Sequence, residues 1–263
     1  TETFEVKNSD HFLNMLSEFK NPSVDLKKNT LKRLDFMGEF WVIDLPNITL
    51  IAVSSVQIEQ TIKALEYSCR GINFGAVKFV THEDIDHEYI KVEKVPQINS
   101  GDEFSKITVY DLPSYVDTDY SILVQYDGFI VNPEQWTDKF LDYDWIGALW
   151  TKGHNYFDKN GNQIRVGCGI SLRSQRLMGM ARKLNLPWEP FTNNGEHKPG
   201  YWEDAWICVK NRHIYEEHGC KFAPIEMAAK WGRELHNPPI SENEGITPFT
   251  FHGRKDTYLE LIR

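Results

Sequence analysis

A strand–helix–strand pattern near the start of the chain constrains the fold more than any other feature of the sequence. Residues Ile48 to Val53 form a short, nearly continuous apolar run, which is typical of a strand buried on both faces of a parallel sheet. Helical spacing of apolar residues then predicts a helix from Ile58 to Gly71, and Val77 to Val80 predict the next strand. The sequence therefore predicts an α/β protein with a Rossmann-type βαβ unit and flanking helices around a mixed, mostly parallel central sheet.

Further elements follow the βαβ unit in a regular order. The pattern predicts a helix over 103–115, a strand over 120–126, a short helix over 136–141, a strand over 145–150 and a polar surface loop over 151–163. Asp144, just before the second of these strands, is predicted to orient the core rather than to act on a substrate.

The chain is predicted to consist of two parts. Residues 1–46 form an N-terminal preamble with helical apolar spacing, including an amphipathic, basic second helix from Leu26 to Phe36. Residues 47–263 are predicted to form a single domain, because a chain of 263 residues is more than enough to bury one sizeable core.

Charge and residue usage exclude several classes of partner. The net charge of −9 disfavours duplex DNA, although a locally basic surface stays compatible with it. Four cysteines without metal-site spacing predict reduced thiols, and no apolar run approaches the ~20 residues that span a bilayer. We therefore expect a cytoplasmic protein without a transmembrane segment, with peripheral contact to the inner membrane face through the basic stretch as an alternative.

Small and polar residues follow the first predicted strand. In parallel sheets, ligands bind beyond the carboxyl ends of the strands, which places Ala52, Val53, Ser54 and Ser55 at a crevice suited to a nucleotide. The chain has no GxGxxG and no GxxxxGK[ST], so neither a dinucleotide fingerprint nor a P-loop is predicted. An ordinary turn between strand and helix explains this segment equally well.

A carboxylate ends the most apolar strand in the middle of the chain. Gln125-Tyr126-Asp127-Gly128 follows YSILV, so Asp127 lies where the sheet opens to a ligand and Gly128 permits close backbone approach. Mg²⁺ or Mn²⁺ typically takes one or two protein carboxylates and completes its shell with diphosphate oxygens and water. Asp127 is a candidate for such a site, and a simple Asp-Gly turn is the alternative.

Two glycines lie close together before a later apolar strand. In the segment Gly167, Cys168, Gly169 and Ser171, the missing side chains would let the backbone pack against a bulky ligand such as a sugar ring. A β-bulge or a turn would use the same glycines.

An acidic pair opens a later apolar helix. Glu203 and Asp204 could act as a catalytic base that removes a proton from an attacking hydroxyl. The alternative is that they only stabilise the helix dipole from its first turn.

A single histidine lies in the late segment Phe251-His252-Gly253. A neutral imidazole there could bind a metal ion that carries a diphosphate, and a purely structural role is the alternative.

The order of these features resembles the GT-A class of nucleotide-sugar glycosyltransferases. More closely, Leu45 to Gly253, about four fifths of the chain, is similar to a largely uncharacterised family of bacterial and viral glycosyltransferase-like proteins. The matching segments are LPNITLIAVSS, IEQTIKALEYS, VQYDGFIVNPEQW, YDWIGALW, VGCGISLRS, EDAWIC, FAPIEMAAKW and FHG.

The resemblance implies a GT-A-like catalytic domain and assigns roles at the donor side. The last aspartate of the DxD motif of this class holds the metal and matches Asp127, whereas the first is replaced by Gln125. The resemblance also implies that His252 completes the shell of Mn²⁺ or Mg²⁺, and that Gln125 and Tyr126 lie at the donor nucleotide. Because Gln125 is not acidic, the metal dependence stays open.

On the acceptor side, the resemblance maps the glycine-rich segment to the sugar or acceptor and one carboxylate of the acidic pair to the base. Asp204 is favoured as the base, with Glu203 as the competing residue. The slight preference is for an inverting reaction, although retention stays open.

The resulting hypothesis is a hexosyl- or pentosyltransferase that moves a sugar from a nucleotide-diphosphate sugar to a hydroxyl of a glycan, lipid-linked or other acceptor. We expect it to act in the synthesis of a surface glycan such as capsule or lipopolysaccharide. The alternatives are a viral enzyme that glycosylates modified DNA bases and a non-catalytic module that binds glycans or nucleotides.

Overall fold

The computed structural model describes residues 24–25, 30–31, 33–34, 40–150, 153, 156–189, 202–234 and 241–253. The strands in these ranges are β1 (Val24–Asp25), β2 (Thr30–Leu31), β3 (Arg33–Leu34), β4 (Phe40–Trp41), β5 (Ile43–Val53), β6 (Ile72–Thr81), β7 (Lys91–Lys94), β8 (Tyr120–Val124), β9 (Gly128–Ile130), β10 (Trp145–Leu149), β11 (Val166–Ser174), β12 (Gly232–Glu234) and β13 (Thr250–His252).

The helices over the same ranges are mostly short. They are α1 (Ile58–Ser68), α2 (Gly101–Lys106), α3 (Gln175–Lys183), α4 (Glu203–Ala205), α5 (Arg212–Glu217) and α6 (Ile225–Trp231). α2 continues through a π-helical turn (Ile107–Asp111) into a 3₁₀ turn (Leu112–Tyr115), and α4 continues through a π-helical segment (Trp206–Lys210). Other 3₁₀ turns are Pro133–Gln135, Asp138–Asp142 and Ser241–Asn243.

Among the described residues, six strands form the central sheet in the order β10-β11-β8-β5-β6-β7. β5 runs parallel to both of its neighbours, and β6 runs parallel to β7. β11 is antiparallel to β8 and to β10, so the sheet is mixed. The predicted fold class, a mixed and mostly parallel sheet with a Rossmann-type βαβ unit and flanking helices, is confirmed by this topology.

The core lies on both faces of the central sheet. Successive residues of β5 alternate between them: Leu50 packs into the larger cluster with α1, and Ile51 packs into the smaller one with Leu112 and Met178. This two-sided burial is the reason why Ile48–Val53 is apolar without interruption.

A smaller sheet of three strands, in the order β12-β13-β9, adjoins the central one. β9 follows β8 after a tight turn, so the small sheet begins where a central strand ends. β13 pairs parallel with β12 and antiparallel with β9. This arrangement brings the late part of the chain to the carboxyl edge of the central sheet.

The predicted orienting role of Asp144 agrees with its contacts. Its buried carboxylate accepts hydrogen bonds from the Ser174 hydroxyl, from Nε of Arg176 at 3.1 Å and from the backbone N–H of Lys221 at 2.7 Å. Asp144 therefore joins β10, the start of α3 and the segment before α6.

The predicted helix from Leu26 to Phe36 is wrong at the residues that the structure describes. Thr30–Leu31 pairs with β1, and Arg33–Leu34 pairs with β4, both antiparallel. Strand pairing satisfies the backbone here in place of the helical pattern of apolar residues. The predicted first helix, within residues 1–19, lies outside the described residues, and the domain boundary at residue 46 stays a prediction.

Most predicted elements of the core are confirmed, with shifted ends. The first central strand begins at Ile43, earlier than the predicted Ile48, because its pairing with β6 continues across Pro46 with a shift in register. The predicted helix over 103–115 is confirmed as a continuous helical segment from Gly101. No helix in the described part of the chain is long and apolar enough to cross a membrane.

Candidate active site

The segment Gln125–Gly128 forms a tight turn between β8 and β9. The N–H of Gln125 donates to the carbonyl of Gly128 at 2.8 Å, and the N–H of Gly128 donates back at 3.1 Å. Tyr126 and Asp127 therefore occupy the tip of a two-residue turn at the carboxyl end of a central strand. The segment is therefore a turn, and it lies at the carboxyl edge of the sheet, where ligands of α/β sheets generally bind. A metal site at Asp127 stays a prediction.

His252 meets this turn from the other end of the chain. In the register of β13 against β9, His252 lies opposite Gly128, and a Cβ on Gly128 would come within 2.7 Å of Cδ2 of the ring. Nε2 of His252 is 3.3 Å from Oε1 of Gln125 and 3.8 Å from Oδ1 of Asp127. The structure thus brings together the strand-end carboxylate and the late histidine, as the resemblance implies.

Glu234 holds the other nitrogen of the same ring. Its Oε2 is 2.7 Å from Nδ1 of His252, and its side chain is 8% exposed. The register of β12 against β13 places the two residues side by side. Sequence reasoning missed Glu234, because it belongs to no motif and reaches the site only through this pairing.

The two glycines of β11 pack against side chains of the protein itself. A Cβ on Gly169 would lie 2.6 Å from Nε2 of Gln125, and one on Gly167 would lie 2.0 Å from the ring of Trp150. The close approach that the glycines permit is therefore to Gln125 and Trp150. Direct contact of this segment with a sugar stays a prediction, and the side chain of Cys168 is outside the described residues.

Ser171 lies inside the sheet. It is fully buried, its hydroxyl is 3.2 Å from the carbonyl of Gly169, and it accepts a hydrogen bond from Nε of Arg173 at 2.9 Å. These contacts leave no exposed hydroxyl for a sugar. The predicted sugar contact of Ser171 stays a prediction.

The carboxyl end of β5 lies at the same edge of the sheet as the Gln125–Gly128 turn. The side chains of Ala52 and Val53 are buried in the core. Ser54 bonds to the backbone of Val56, and Ser55 accepts from the N–H of Ile98 at 2.9 Å. The hydrogen bonds of Ser54 and Ser55 stabilise the segment after β5. The predicted contact of these four residues with a nucleotide stays a prediction.

The two acidic residues at the start of α4 have different surroundings. Glu203 is buried, and its Oε1 lies 3.5 Å from Nη2 of Arg173. Arg173 is itself fully buried, donates to the carbonyl of Thr108 at 3.2 Å and lies over the ring of Trp145. Glu203 is therefore the charge partner of a buried cation.

Asp204 is less buried than its neighbour and is electrostatically linked to the rest of the site. Burial, and then the charge of Glu203, raise the pKa of Asp204 to about 7. The N–H of Ala205, Arg173 and His252 oppose this rise in pKa. Because the charge of His252 acts on its pKa, Asp204 lies within electrostatic range of the residue that meets the Gln125–Gly128 turn. A carboxyl group with such a pKa suits proton transfer near neutral pH.

The donor atoms at the turn fit a hard cation bound together with a diphosphate. No group of three His, Cys, Asp or Glu residues that could hold a metal ion occurs among the described residues. Asp127 Oδ1 and His252 Nε2 nevertheless lie 3.8 Å apart, with the amide oxygen of Gln125 beside them. Mg²⁺ uses only one or two protein carboxylates when substrate phosphates supply further oxygens, so these atoms are chemically compatible with the predicted cation, whose binding stays a prediction.

The fold and the cluster define an α/β protein of Rossmann type with a polar candidate site at the carboxyl edge of its central sheet. Within this class the chain belongs to the family DUF5672, described as a protein of unknown function, whose match extends over residues 90–252. That range contains the turn, the glycine-rich strand, the acidic pair and His252. No curated protein matches the sequence.

Two solved structures are similar in part. One is a glycosyltransferase involved in the glycosylation of the major capsid of PBCV-1, with 9% identity, a TM-score of 0.44 and coverage of 82% of this chain and 96% of that one. The other is the apo form of the glycosyltransferase GlyE of Streptococcus pneumoniae TIGR4, with 10% identity, a TM-score of 0.40 and coverage of 80% and 55%. The chain thus spans about half the length of GlyE. At these identities and TM-scores, the similarities carry no argument about activity.

Proposed function

We propose that this protein is a glycosyltransferase that moves a hexosyl or pentosyl group from a nucleotide-diphosphate sugar to a hydroxyl acceptor. The observation that carries the proposal is the meeting of Asp127, Gln125 and His252 at the carboxyl edge of the central sheet. His252 is far from the other two residues in the chain, and its approach to them supports a metal–diphosphate site at this edge.

The donor would bind at the Gln125–Gly128 turn and the end of β5. Asp127 and His252 would hold Mn²⁺ or Mg²⁺, with the amide oxygen of Gln125 beside them. The cation supplies positive charge that stabilises the diphosphate as a leaving group. Replacement of an acidic residue by Gln125 lowers the negative charge of the site by one, so we expect weak metal binding that is strengthened by the donor.

Asp204 is the proposed base for the acceptor hydroxyl. Glu203 is committed to Arg173 inside the protein. Asp204 is partly exposed as a residue, and its pKa is raised to about 7. A base of this kind removes the hydroxyl proton as the oxygen attacks the sugar carbon. This arrangement favours an inverting reaction, because inversion needs one displacement and one base.

For the biological setting, we propose a class of pathway and no individual sugar or acceptor. We favour the synthesis of a surface glycan such as capsule or lipopolysaccharide on the cytoplasmic side of a membrane, with a glycan or lipid-linked acceptor. The net charge of −9 disfavours the glycosylation of DNA bases. Binding of sugar nucleotides without turnover would instead indicate a non-catalytic module.

A thermal-shift screen against a panel of nucleotide sugars, each with and without Mn²⁺, tests the proposal. A donor present at 100 times its dissociation constant should stabilise the protein by about 2.7 kcal/mol. The stabilisation should require Mn²⁺ and should be lost in His252→Ala. No stabilisation by any nucleotide sugar would contradict the proposed donor, and a shift of modified DNA in a gel would favour the DNA-directed alternative.

A further inference from the structure

We propose that Glu234 is a positioning residue that fixes the ring of His252 so that Nε2 faces Gln125 and Asp127. The inference rests on the proposed function, since the cation and diphosphate that the ring would meet belong to it. Glu234 belongs to none of the sequence motifs described above, and it is not expected to contact the substrate.

The geometry of the pair is defined by both backbone and side chains. Oε2 of Glu234 lies 2.7 Å from Nδ1 of His252, and the two residues are partners in the parallel pairing of β12 with β13. The other ring nitrogen is directed to the turn, 3.3 Å from Oε1 of Gln125. One nitrogen is thus held by the small sheet, and the other is presented to the candidate site.

The chemistry of the pair assigns the proton. A carboxylate only accepts hydrogen bonds, so Nδ1 of His252 must be the donor. In the neutral ring, Nε2 then keeps its lone pair, which makes no hydrogen bond with Oε1 of Gln125 because both atoms are acceptors. A cation held between Nε2 and the oxygens of Gln125 and Asp127 would be the partner of all three atoms. Carboxylates that accept from the outer nitrogen of a metal-binding histidine orient the ring and raise its basicity, and their loss typically weakens metal affinity about 10- to 100-fold.

Burial strengthens the argument for a dedicated role. The side chain of Glu234 is 8% exposed, and that of His252 is 16% exposed. A carboxylate is seldom this buried without a partner that compensates its desolvation. The ring of His252 provides that partner, and the interaction orients the ring in return.

The test uses Glu234→Ala, Glu234→Gln and the control Glu93→Gln. The control removes a partly exposed carboxylate from β7, at the opposite edge of the central sheet. The ring nitrogens of His252 are observed by ¹⁵N NMR in the metal-free protein at pH 8. Mn²⁺ affinity is measured without donor, by the electron paramagnetic resonance of free Mn²⁺.

We expect the wild type and the control to carry the proton on Nδ1. Glu234→Ala should lose this signature and bind Mn²⁺ about 10- to 100-fold more weakly. Glu234→Gln should keep the proton on Nδ1, because its amide oxygen still accepts from that nitrogen. The Mn²⁺ affinity of Glu234→Gln should lie between those of the wild type and Glu234→Ala. If Glu234 only stabilised the fold through its charge, the uncharged Glu234→Gln would not recover the ring proton on Nδ1 or the Mn²⁺ affinity that Glu234→Ala loses.

Wild-type ring shifts together with wild-type Mn²⁺ affinity in Glu234→Ala would overturn the inference, as would a proton on Nε2 in the wild type. Turnover of a nucleotide sugar by the wild-type protein would still leave the proposed function standing. The expected variant results combined with no consumption of any nucleotide sugar would support the role of Glu234 and contradict the glycosyltransferase.

Discussion

Adjacent carboxylates at the start of α4 illustrate how local surroundings divide roles between residues of the same type. Glu203 points into the protein and neutralises Arg173, a cation that is fully buried. Asp204 is partly exposed as a residue. The pKa of its carboxyl group is raised, first by desolvation of that group and then by the charge of Glu203. The sequence presents the two as equivalent candidates, and only their directions in the fold separate them.

Asp204→Asn should lower turnover by about 10²- to 10⁴-fold, the usual contribution of a general base. Donor affinity should barely change, because the base acts on the acceptor. Glu203→Gln should mainly lower the free energy of unfolding, on the order of 3 kcal/mol, since it leaves Arg173 without a full counter-charge. Steady-state kinetics and urea denaturation distinguish the two, and an active Asp204→Asn with a folded but inactive Glu203→Gln would reverse the assignment.

The pH dependence follows from the pKa of about 7 at Asp204. A base must be ionised, so kcat/KM of the wild type should rise with pH through about 7 and level off above it. The stability effect has the opposite sign. Because the folded pKa is above the ordinary value of about 3.9, the stabilisation present at low pH is lost as pH rises through about 7.

Asp204→Asn provides the matched measurement for this stability effect. The wild type should lose more free energy of unfolding between pH 5 and pH 8 than the variant does, as measured by urea denaturation at each pH. Parallel losses in the two proteins would show that the carboxyl group of Asp204 has an ordinary pKa.

Asp127→Asn should abolish Mn²⁺-dependent donor binding and leave the fold intact, because the carboxylate lies in a turn at the sheet edge. The control is Asp44→Asn, which removes an exposed carboxylate near the amino end of β5. Calorimetric titration with a nucleoside diphosphate and Mn²⁺ checks the prediction. Equal affinity in both variants would reduce Asp127 to a turn residue.

At the scale of elements, β11 connects the candidate site to the core through its two glycines. Gly169 makes room for the flexible end of Gln125, whereas Gly167 makes room for the rigid ring of Trp150. The same chemical change at the two positions should therefore have different consequences.

Gly167→Ala should lower the free energy of unfolding by about 1–3 kcal/mol, the usual cost of overpacking. Gly169→Ala should cost less, because Gln125 can move, but it should weaken donor binding. The control Gly179→Ala lies in α3 with nothing within 4 Å of its new methyl group, and it should raise stability by up to about 1 kcal/mol. Urea denaturation and donor titration of the three variants check this ranking. Equal losses of free energy of unfolding in Gly167→Ala and Gly169→Ala would contradict it.

The elements that the sequence predicted well are those with strong local patterns. β5 is apolar without interruption, and α1 has helical spacing, so neither needs tertiary information to be recognised. The helix predicted from Leu26 to Phe36 was wrong because its apolar spacing suits a helix. Pairing between short strands determines the structure at the described residues of that segment instead. Glu234 was missed for a related reason, since it reaches His252 only through the register of two three-residue strands.

At the scale of the whole molecule, the candidate site is assembled from three separated parts of the chain. The Gln125–Gly128 turn ends a central strand, α4 packs against β11, and β13 returns the late histidine to the turn. The resemblance of the ordered motifs to the GT-A class implied that Asp127 and His252 lie at one site, and the two residues lie close together in the structure. The division of roles within the site depends on side-chain burial, which no local pattern encodes.

The central claim is that this edge of the sheet transfers a sugar from a nucleotide donor with the help of a divalent cation. The most direct measurement is consumption of a nucleotide sugar, followed by chromatography of the released nucleotide, for the wild type, Asp127→Asn, His252→Ala and the control Asp44→Asn. Release should require Mn²⁺ or Mg²⁺, stop with EDTA, fall to background in the first two variants and persist in the control. Donor consumption that is equal in all four proteins, or its absence from the wild type with every donor of the panel, would contradict the account.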